Sequence, residues 1–388
     1  MNPILHRACW VMTEPGSFIE NGCVVIEGNR IMEISGAGTT TRQGRIIDHG
    51  PGVLMPALVN AHTHVALSDS TRSHASEGFI KWVECLIQDR NRQTREESEK
   101  TVQNAVLALK GSGTALVGEF GPHIPVARSF ETAGLHANIW MECLGNDREL
   151  PPLPENGNTV RHAWAAHAPH TTSPTLLKRV QETDARLGQR FCLHLAESLK
   201  ELEFLQEGKG AWADFMTRMG IDFSGWYGFG KRPVEMALEM GLLNENTLAV
   251  HLLEITSKEM SEVAQTGAHV CLCPRSNRML HRKLPDIEGF LKLGIQPAIG
   301  TDSLASTPTL SLFDEMRFIH EHFPNLDPDV ILKMGTVNGA RAMDHPNMGT
   351  LRPGNQSPMI YVELDAKSAK TAAEALVSIE DLVLRPII

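Results

Sequence analysis

The chain has 388 residues, of which 42% are apolar and 21% are charged, a composition typical of a folded protein with a sizeable core. Its formal net charge of −10, together with the lack of a long apolar run or a basic-then-apolar leader, argues against nucleic acid or a membrane as the main partner. Seven dispersed cysteines without a CxxC pair indicate a reducing compartment, so we expect a cytoplasmic location.

Both ends of the chain are predicted to be β-structure. The segment "GCVVIEGNRIMEISG" alternates apolar and polar residues on either side of a glycine-containing turn, as a half-buried hairpin does. Near the other end, "GNQSPMIYVELD" offers a turn followed by a strand. We therefore expect residues 1–55 and 346–388 to share one small β-domain.

Between the two ends, short apolar stretches alternate with helical patterns such as "SEKTVQNAVLALKGSG". The predicted strands cover residues 58–64, 114–120, 136–145, 162–170, 190–198, 247–254, 269–277 and 296–303. Eight strand–helix units predict a TIM-type (β/α)8 barrel over residues 56–345. A doubly wound sheet is the alternative, but no glycine-rich phosphate motif follows the first strand.

The first barrel strand is predicted to end in two histidines separated by one residue, His62 and His64. Alternation along a strand puts both imidazoles on one face, where they can bind a single ion. Two unrelated core or surface histidines are the alternative. The position of the pair directly after the buried stretch "LMPALVNA", at the end of a barrel strand where active sites lie, favours metal ligands.

Three later strands end in further candidate ligands: His194 in "LHLAES", His251 in "VHLLE" and Asp302 in "GTDS". Each could be a buried, hydrogen-bonded histidine or a helix-capping aspartate, but their shared position at strand ends favours one site. Three of these four imidazoles and the carboxylate suit one divalent ion, Zn²⁺ or Fe²⁺, which lowers the pKa of bound water to about 7. The fourth strand, "HAWAAHAPH", has no lysine to bridge a second ion, so we expect one metal ion.

Glu197 follows His194 at a strand-to-loop transition, where it could move protons at the water beside the metal. Carboxylates fill this role when their surroundings raise their pKa, and we expect a closed pocket to do so here. The alternative is an acid at the start of the helix predicted for "SLKELEFLQEG".

Taken together, these stretches resemble the amidohydrolase superfamily over nearly the whole chain, in its cytosine-deaminase-like and chlorohydrolase branch. The matching segments are "LMPALVNAHTH", "HAPHTTSP", "LHLAESLKELEF", "VHLLEIT", "CPRSNRML" and "GTDSLAS". The resemblance implies a composite β-sandwich at the chain ends and one metal ion. It assigns the metal to His62, His64, His194 and Asp302, the flanks of the attacking water to Glu197 and His251, and a substrate contact to His167.

Two subfamilies of that branch fit the motifs. Deaminases of methylthioadenosine and S-adenosylhomocysteine usually have a ribose-binding glutamate about nine residues after a tryptophan, and here "VECLIQDRN" follows Trp82 without one at that spacing. The chain is more similar to the aminodeoxyfutalosine deaminases of menaquinone biosynthesis, which share "GFIKW", "CPRSNRML" and "LSLFDEMR". His170 stands where many members of the branch have tyrosine.

The resemblance implies hydrolytic deamination of a small nucleoside, with 6-amino-6-deoxyfutalosine giving futalosine and ammonia. Water attacks C6 of an adenine-type ring, Glu197 protonates the adjacent ring nitrogen, and Asp302 and His251 accept the proton of the water. The benzoate of this substrate calls for an arginine, and the candidates are Arg90, expected in the loop after strand one, and Arg275 in "CPRSN". The alternative for Arg90 is a solvated position on a helix, and the alternative for Arg275 is bracing of neighbouring loops.

Other functions stay open at this point. A methylthioadenosine, S-adenosylhomocysteine or adenosine deaminase would use the same metal core, as would an aminohydrolase or chlorohydrolase of another nitrogen heterocycle, because loops choose the ring and the leaving group. A non-catalytic barrel is the non-enzyme alternative, although such barrels typically lose ligands and this chain has the full set. The sequence leaves a homodimer open.

Overall fold

The structure, a computed structural model, describes residues 2–36, 38–68, 78–121, 124–226, 230–356 and 358–387. The chain divides into two compact units. The first unit consists of Met1–Ala61, Leu107–Val117 and Ser311–Ile388, and the second of His62–Val106 and Gly118–Leu310. The predicted boundaries at residues 55 and 345 stay a prediction.

The strands form two sheets. In chain order they are β1 (Ile4–Glu14), β2 (Ser17–Glu27), β3 (Arg30–Ser35), β4 (Arg45–Asp48), β5 (Gly52–Pro56), β6 (Leu58–Thr63), β7 (Thr114–Phe120), β8 (His136–Cys143), β9 (Val160–Ala166), β10 (Phe191–Leu195), β11 (Thr247–His251), β12 (His269–Leu272), β13 (Ala298–Ile299), β14 (Met359–Glu363) and β15 (Val383–Pro386). Strands β6 to β13 are the eight barrel strands that the apolar stretches predict.

The helices follow the strands along the chain. They are α1 (Phe79–Arg92), α2 (Arg95–Gly111), α3 (Ile124–Ala133), α4 (Pro174–Leu187), α5 (Leu199–Glu207), α6 (Ala211–Arg218), α7 (Pro233–Glu239), α8 (Ser257–Thr266), α9 (Pro274–His281), α10 (Ile287–Lys292), α11 (Leu312–His322), α12 (Pro328–Met334), α13 (Val337–Ala342) and α14 (Ala369–Ser378). None of the helices in the described part of the chain is both long and apolar enough to cross a membrane.

A seven-stranded sheet draws strands from both ends of the chain, in the order β15-β14-β5-β1-β2-β3 with β4 paired to β1. The predicted hairpin is β2 and β3, which pair antiparallel across a turn where Gly28 has φ of 66°. Apolar residues from several strands of this sheet form a buried cluster that includes Val11, Val24 and Tyr361. The prediction that the chain ends share one β-structure is confirmed.

The other sheet is a parallel barrel with the order β13-β12-β11-β10-β9-β8-β7-β6. A bridge between Thr63 and Asp302 joins its two edges, with the Asp302 amide 3.0 Å from the carbonyl oxygen of His62. Gly300 is required at this seam, because a Cβ there would lie 2.6 Å from the Cβ of His62. The predicted (β/α)8 barrel is confirmed.

Every residue of β10 and β11 is buried, as expected for parallel strands covered on both faces. Polar side chains therefore gather where the strands end, and the in-register pair Leu195 and His251 brings the ends of β10 and β11 together. This edge of the barrel carries the candidate site, all of it within the second compact unit.

Candidate functional site

Three histidines meet at the carboxyl ends of strands β6 and β10. The Nε2 atom of His194 lies 3.3 Å from the Nε2 atoms of both His62 and His64. These residues are almost fully buried and form a group able to hold a metal ion. The structure thus brings together the three histidines that the motifs predict as ligands.

Asp302 completes this arrangement from the other side of the barrel seam. Its Oδ1 atom lies 4.0 Å from the Nε2 atoms of His62 and His64. Its Oδ2 atom accepts hydrogen bonds from the hydroxyl groups of Ser276, at 2.6 Å, and Ser306, at 3.0 Å. Because the two serines hold one oxygen, the other is directed at the imidazoles.

The protonation of the imidazoles suits a cation. The Nδ1 atoms of His64 and His194 lie 2.8 and 2.9 Å from the backbone oxygens of Phe120 and His167, so each Nδ1 donates and each neutral ring presents a lone pair at Nε2. Burial and the neighbouring histidines hold the pKa of His62 and of His194 well below the ordinary value, which keeps these rings neutral.

The donor set also has the size of a metal site. Two facing lone pairs at 3.3 Å repel unless a cation lies between them. Metal–nitrogen bonds of about 2.0–2.1 Å in tetrahedral geometry put two ligand nitrogens about 3.3 Å apart. Three imidazoles and one carboxylate therefore fit a single Zn²⁺ or a similar ion.

Backbone strain is concentrated at this site. Ala196, His251, Leu252 and Asp302 have φ between 47° and 76°, a region that residues other than glycine seldom adopt. Such conformations cost about 1–3 kcal/mol each and persist where surrounding structure enforces them, often at functional sites. These strained residues lie at or shortly after the ends of β10, β11 and β13.

Glu197 lies beside two histidines. Its Oε1 atom is 3.1 Å from Nε2 of His281, on α9, and 3.9 Å from Nε2 of His251. Burial alone would raise the pKa of Glu197, but these two histidines outweigh it and hold the pKa well below the ordinary value. The expected raised pKa is therefore wrong: Glu197 begins as an ionised carboxylate, because burial does not isolate it from hydrogen-bond donors.

His251 has its own positioning residue. The side-chain amide of Asn277 lies 3.1 Å from Nδ1 of His251, which leaves Nε2 directed towards Glu197. Asn277 and Ser276 both belong to the stretch "CPRSN", so this motif orients His251 and Asp302 from one short helix.

Two further carboxylates, not predicted from the sequence, fix the backbone of the site. Glu119, on β7, accepts from the amide of Val65 at 3.1 Å and from the hydroxyl of Thr63 at 2.7 Å, and so holds the loop that carries His64. Burial raises the pKa of Glu119 well above the ordinary value. The only available signal was an acid inside the apolar stretch "TALVGEF".

Glu201 likewise fixes the backbone that follows β10. It is fully buried and accepts from the backbone amides of Ala196, at 3.1 Å, and Glu197, at 2.8 Å. The signal was a serine followed three residues later by a glutamate, typical of a helix start, and Ser198 is indeed the N-cap of α5.

His167 and Glu142 face each other across the deep end of the site. The Nε2 atom of His167 lies 3.9 Å from Oε1 of Glu142, at the end of β8. The Nδ1 atom of His167 lies 2.7 Å from the hydroxyl of Thr171, and burial lowers the pKa of the ring. His170 is buried against Trp212, whose indole donates to its carbonyl oxygen at 2.7 Å.

A cavity of about 400 Å³ opens from the histidine cluster. His64, Glu142, His167, His194, Glu197, His251 and Asp302 line its deep end. Its outer part is lined by apolar side chains, among them Leu67, Phe79, Trp82, Leu86, Ile87, Trp212, Phe215, Met216, Met219, Ile221 and Trp226. We call this part the apolar vestibule. A mostly apolar cavity with a few convergent polar groups is typical of a small-molecule site.

The two arginine candidates lie in different places. Arg90 lines the cavity from the last turn of α1, a helix where the sequence suggested a loop. Arg275 is not among the residues that line the cavity. Its guanidinium donates to the hydroxyl of Thr309 at 3.0 Å and to the carbonyl oxygen of the same residue at 2.8 Å, which is the loop-bracing alternative.

Residues 53–383 match the amidohydrolase family model. A 5-methylthioadenosine/S-adenosylhomocysteine deaminase of Moorella thermoacetica is 30% identical over 390 residues, which cover 94% of this chain and 86% of that protein. The solved Helicobacter pylori aminofutalosine deaminase in complex with methylthio-coformycin has a TM-score of 0.86 at 23% identity, with 97% of each chain covered. An adenosine deaminase from Xanthomonas campestris with bound zinc has a TM-score of 0.77 at 22% identity, covering 96% of this chain and 88% of that one.

Proposed function

We propose that this chain, which belongs to the amidohydrolase family, is a metal-dependent hydrolase of C–N bonds in cyclic amidines that deaminates an adenine-type nucleoside. The observation that carries the proposal is the meeting in one cavity of three facing imidazoles with Asp302 and Glu197. The Moorella relative, a nucleoside deaminase by name, supports an adenine-type ring.

The resident ion in this proposal is one Zn²⁺, with Fe²⁺ as the alternative. The residues that would hold it are His62, His64 and His194 through Nε2 and Asp302 through Oδ1. A divalent ion bound there would lower the pKa of water to about 7 and so supply a nucleophile at neutral pH.

Glu197 is the proton carrier in this proposal. Because it begins ionised, it takes a proton from the attacking water and delivers it to the ring nitrogen next to C6. His251 and the Oδ1 atom of Asp302 face the same space and take part in holding the remaining proton until the amine leaves as ammonia. His167, which also lines the cavity, contacts the substrate.

The substrate that we propose is 6-amino-6-deoxyfutalosine, which would place the enzyme in menaquinone biosynthesis. Its benzoate tail has a flat apolar ring and a carboxylate. The aromatic walls of the apolar vestibule suit the ring, and Arg90 at the same cavity suits the carboxylate. Since Arg275 is committed to Thr309, the proposal does not include it in substrate binding.

Methylthioadenosine or S-adenosylhomocysteine is the second candidate. The apolar vestibule would accept a methylthio group as readily as a benzoate ring. The Moorella relative, at 30% identity, supports this candidate specifically. The two candidate substrates differ in the charged groups of their tails, which the cavity must bind.

Ammonia release across a substrate panel tests the proposal. Purified protein loaded with Zn²⁺ is given 6-amino-6-deoxyfutalosine, methylthioadenosine, S-adenosylhomocysteine, adenosine, guanine and cytosine. We expect the highest kcat/KM for 6-amino-6-deoxyfutalosine. A higher kcat/KM for methylthioadenosine would replace it by the second candidate, and turnover of guanine or cytosine alone would contradict an adenine-type nucleoside.

A further inference from the structure

Glu142 is a mostly buried carboxylate that the proposed mechanism does not use. It lies on β8 and lines the deep end of the cavity, with its side chain 12% exposed. Its Oε1 atom is buried and, among the described residues, has no hydrogen-bond partner. A buried carboxylate oxygen without a donor is costly, so a donor is expected from a molecule that enters the cavity.

The metal-site histidines cannot supply that donor. The Nδ1 atom of His194 lies 3.9 Å from Oε1 of Glu142, but it donates to the carbonyl oxygen of His167 at 2.9 Å. The Nδ1 atom of His64 lies 4.0 Å from Oε2 of Glu142, but it donates to the carbonyl oxygen of Phe120 at 2.8 Å. Both N–H groups are already engaged.

His167 presents a second acceptor rather than a donor. The hydroxyl of Thr171 donates to the carbonyl oxygen of Ala168 at 3.1 Å and therefore accepts from Nδ1 of His167 at 2.7 Å. With the proton on Nδ1, the neutral ring has a lone pair at Nε2. Nε2 of His167 and Oε1 of Glu142 are thus two acceptors 3.9 Å apart on the wall of the cavity.

A second metal ion is a poor occupant for this place. Glu142, His167 and His194 have ligand atoms close enough to form a metal group. However, an ion there would need a lone pair at Nδ1 of His194, the atom that donates to a backbone carbonyl. One neutral imidazole cannot present lone pairs on both sides, so the pair of acceptors calls for hydrogen-bond donors.

We propose that Glu142 and His167 bind the two adjacent ribose hydroxyl groups of the nucleoside, which makes Glu142 a specificity-determining residue for ribonucleosides. Two neighbouring hydroxyls offer two O–H donors to two acceptors, and hydrogen bonds to an ionised carboxylate are the stronger kind. This inference rests on the proposed function, because it assumes that a nucleoside occupies the cavity.

The kinetic test compares wild type, Glu142→Gln and Glu142→Ala on adenosine, 2′-deoxyadenosine and 3′-deoxyadenosine. Wild type should prefer adenosine by a factor of about 10 or more in kcat/KM, the size of one lost hydrogen bond to a charged group. Each variant should lose about 10- to 100-fold on adenosine and on the deoxynucleoside that keeps the hydroxyl bound by Glu142, and should stay within about 3-fold of wild type on the deoxynucleoside that lacks it. Glu149→Gln, at an exposed residue that pairs with Arg179, is the matched control and should behave as wild type.

Equal losses by the variants on all three nucleosides would overturn the proposal and give Glu142 a structural role. Metal content and melting temperature separate that result from a damaged site, and Glu142→Gln keeps the shape of the side chain. A wild-type preference for adenosine over both deoxynucleosides that persists in full in both variants would also overturn it.

A binding measurement keeps the inference separate from the proposed function. Calorimetry on Zn²⁺-loaded protein should show tighter binding of inosine than of 2′-deoxyinosine or 3′-deoxyinosine in wild type, and in Glu142→Ala nearly equal binding of inosine and one of these two deoxy compounds. If wild type releases no ammonia from any adenine nucleoside, the proposed function fails while this comparison still decides the role of Glu142. Equal binding of inosine and both deoxy compounds by wild type would overturn the inference even if deamination occurs.

Discussion

The Nε2 atoms of His64 and His194 lie 3.3 Å apart although the Nδ1 atom of each ring donates to a backbone carbonyl oxygen. Neutral imidazoles in this arrangement face each other with lone pairs, so neither can donate to the other. The fold enforces the contact through the ends of β6 and β10 and through buried carboxylates that hold the adjacent loops. A cation between the rings makes the arrangement favourable.

The first prediction concerns the metal ligands. His194→Ala should lower the metal content of purified protein from one divalent ion per chain to a small fraction, because it removes the imidazole that faces both His62 and His64. Elemental analysis measures this, and His320→Ala, a histidine that pairs with Glu374 outside the cavity, is the control. Two ions per chain, or none in active wild-type protein, would contradict the single-ion site.

The second prediction concerns the proton carrier. Glu197→Gln keeps the shape of the side chain but cannot move a proton, so kcat should fall by about 10² to 10⁴ while the metal content stays unchanged. Glu207→Gln, at an exposed acid on α5, is the control. Near-normal turnover by Glu197→Gln would leave Glu197 as an acid near the start of a helix.

The third prediction separates the two arginines. Arg90→Ala should weaken kcat/KM for 6-amino-6-deoxyfutalosine by about 1.5–3 kcal/mol, as for a lost hydrogen bond to a charged group, and should affect adenosine much less. Arg275→Ala should not show this difference, because its guanidinium binds Thr309. Arg92→Ala, which removes the same charge from the same helix end, is the control for Arg90→Ala. Equal losses on both substrates after Arg90→Ala would exclude a carboxylate contact.

The fourth prediction concerns stability and pH at Asp184, a buried residue of α4. Burial raises its pKa to about 8, against an ordinary value of 3.8, although the Trp164 amide bonded to Oδ1 opposes the shift. Between these values the folded state holds more protons than the unfolded state, so this group lowers the free energy of unfolding as pH rises. In Asp184→Asn this pH-dependent fall in the free energy of unfolding is absent.

Thermal or urea unfolding of both proteins at several pH values measures this effect. The unfolding free energy of Asp184→Asn relative to wild type should increase by about 2.5 kcal/mol from pH 5 to pH 7. A difference that does not change with pH would mean that Asp184 is ionised in the folded protein throughout this range.

The sequence predicts the ligand positions well because the chemistry and the fold impose the same residues. Strands buried on both faces carry few polar side chains before their ends, so His62, His194 and Asp302 stand out against apolar surroundings. The eight strands are recognisable for the same reason. Because the eight strands are parallel, their carboxyl ends lie at the same edge of the barrel, and so do the residues that follow them.

The sequence does not predict contacts that depend on side-chain direction. Glu119, Glu142 and His281 are single polar residues within strands or a helix, and only the packed barrel brings them to the site. Arg275 sits in a matching motif, yet its long side chain turns to Thr309. The pKa of Glu197 was predicted in the wrong direction because His251 and, from α9 far along the chain, His281 lie beside its carboxylate and outweigh the effect of burial.

Isotope transfer from water tests the central claim most directly. Protein loaded with one equivalent of Zn²⁺ is incubated with 6-amino-6-deoxyfutalosine in water enriched in heavy oxygen, and ammonia and the product mass are measured together. We predict one ammonia per product, one heavy oxygen at C6, and loss of both after chelation with recovery on adding Zn²⁺. Unchanged turnover in the chelated protein, or a product that retains its amino group, would contradict metal-dependent hydrolytic deamination.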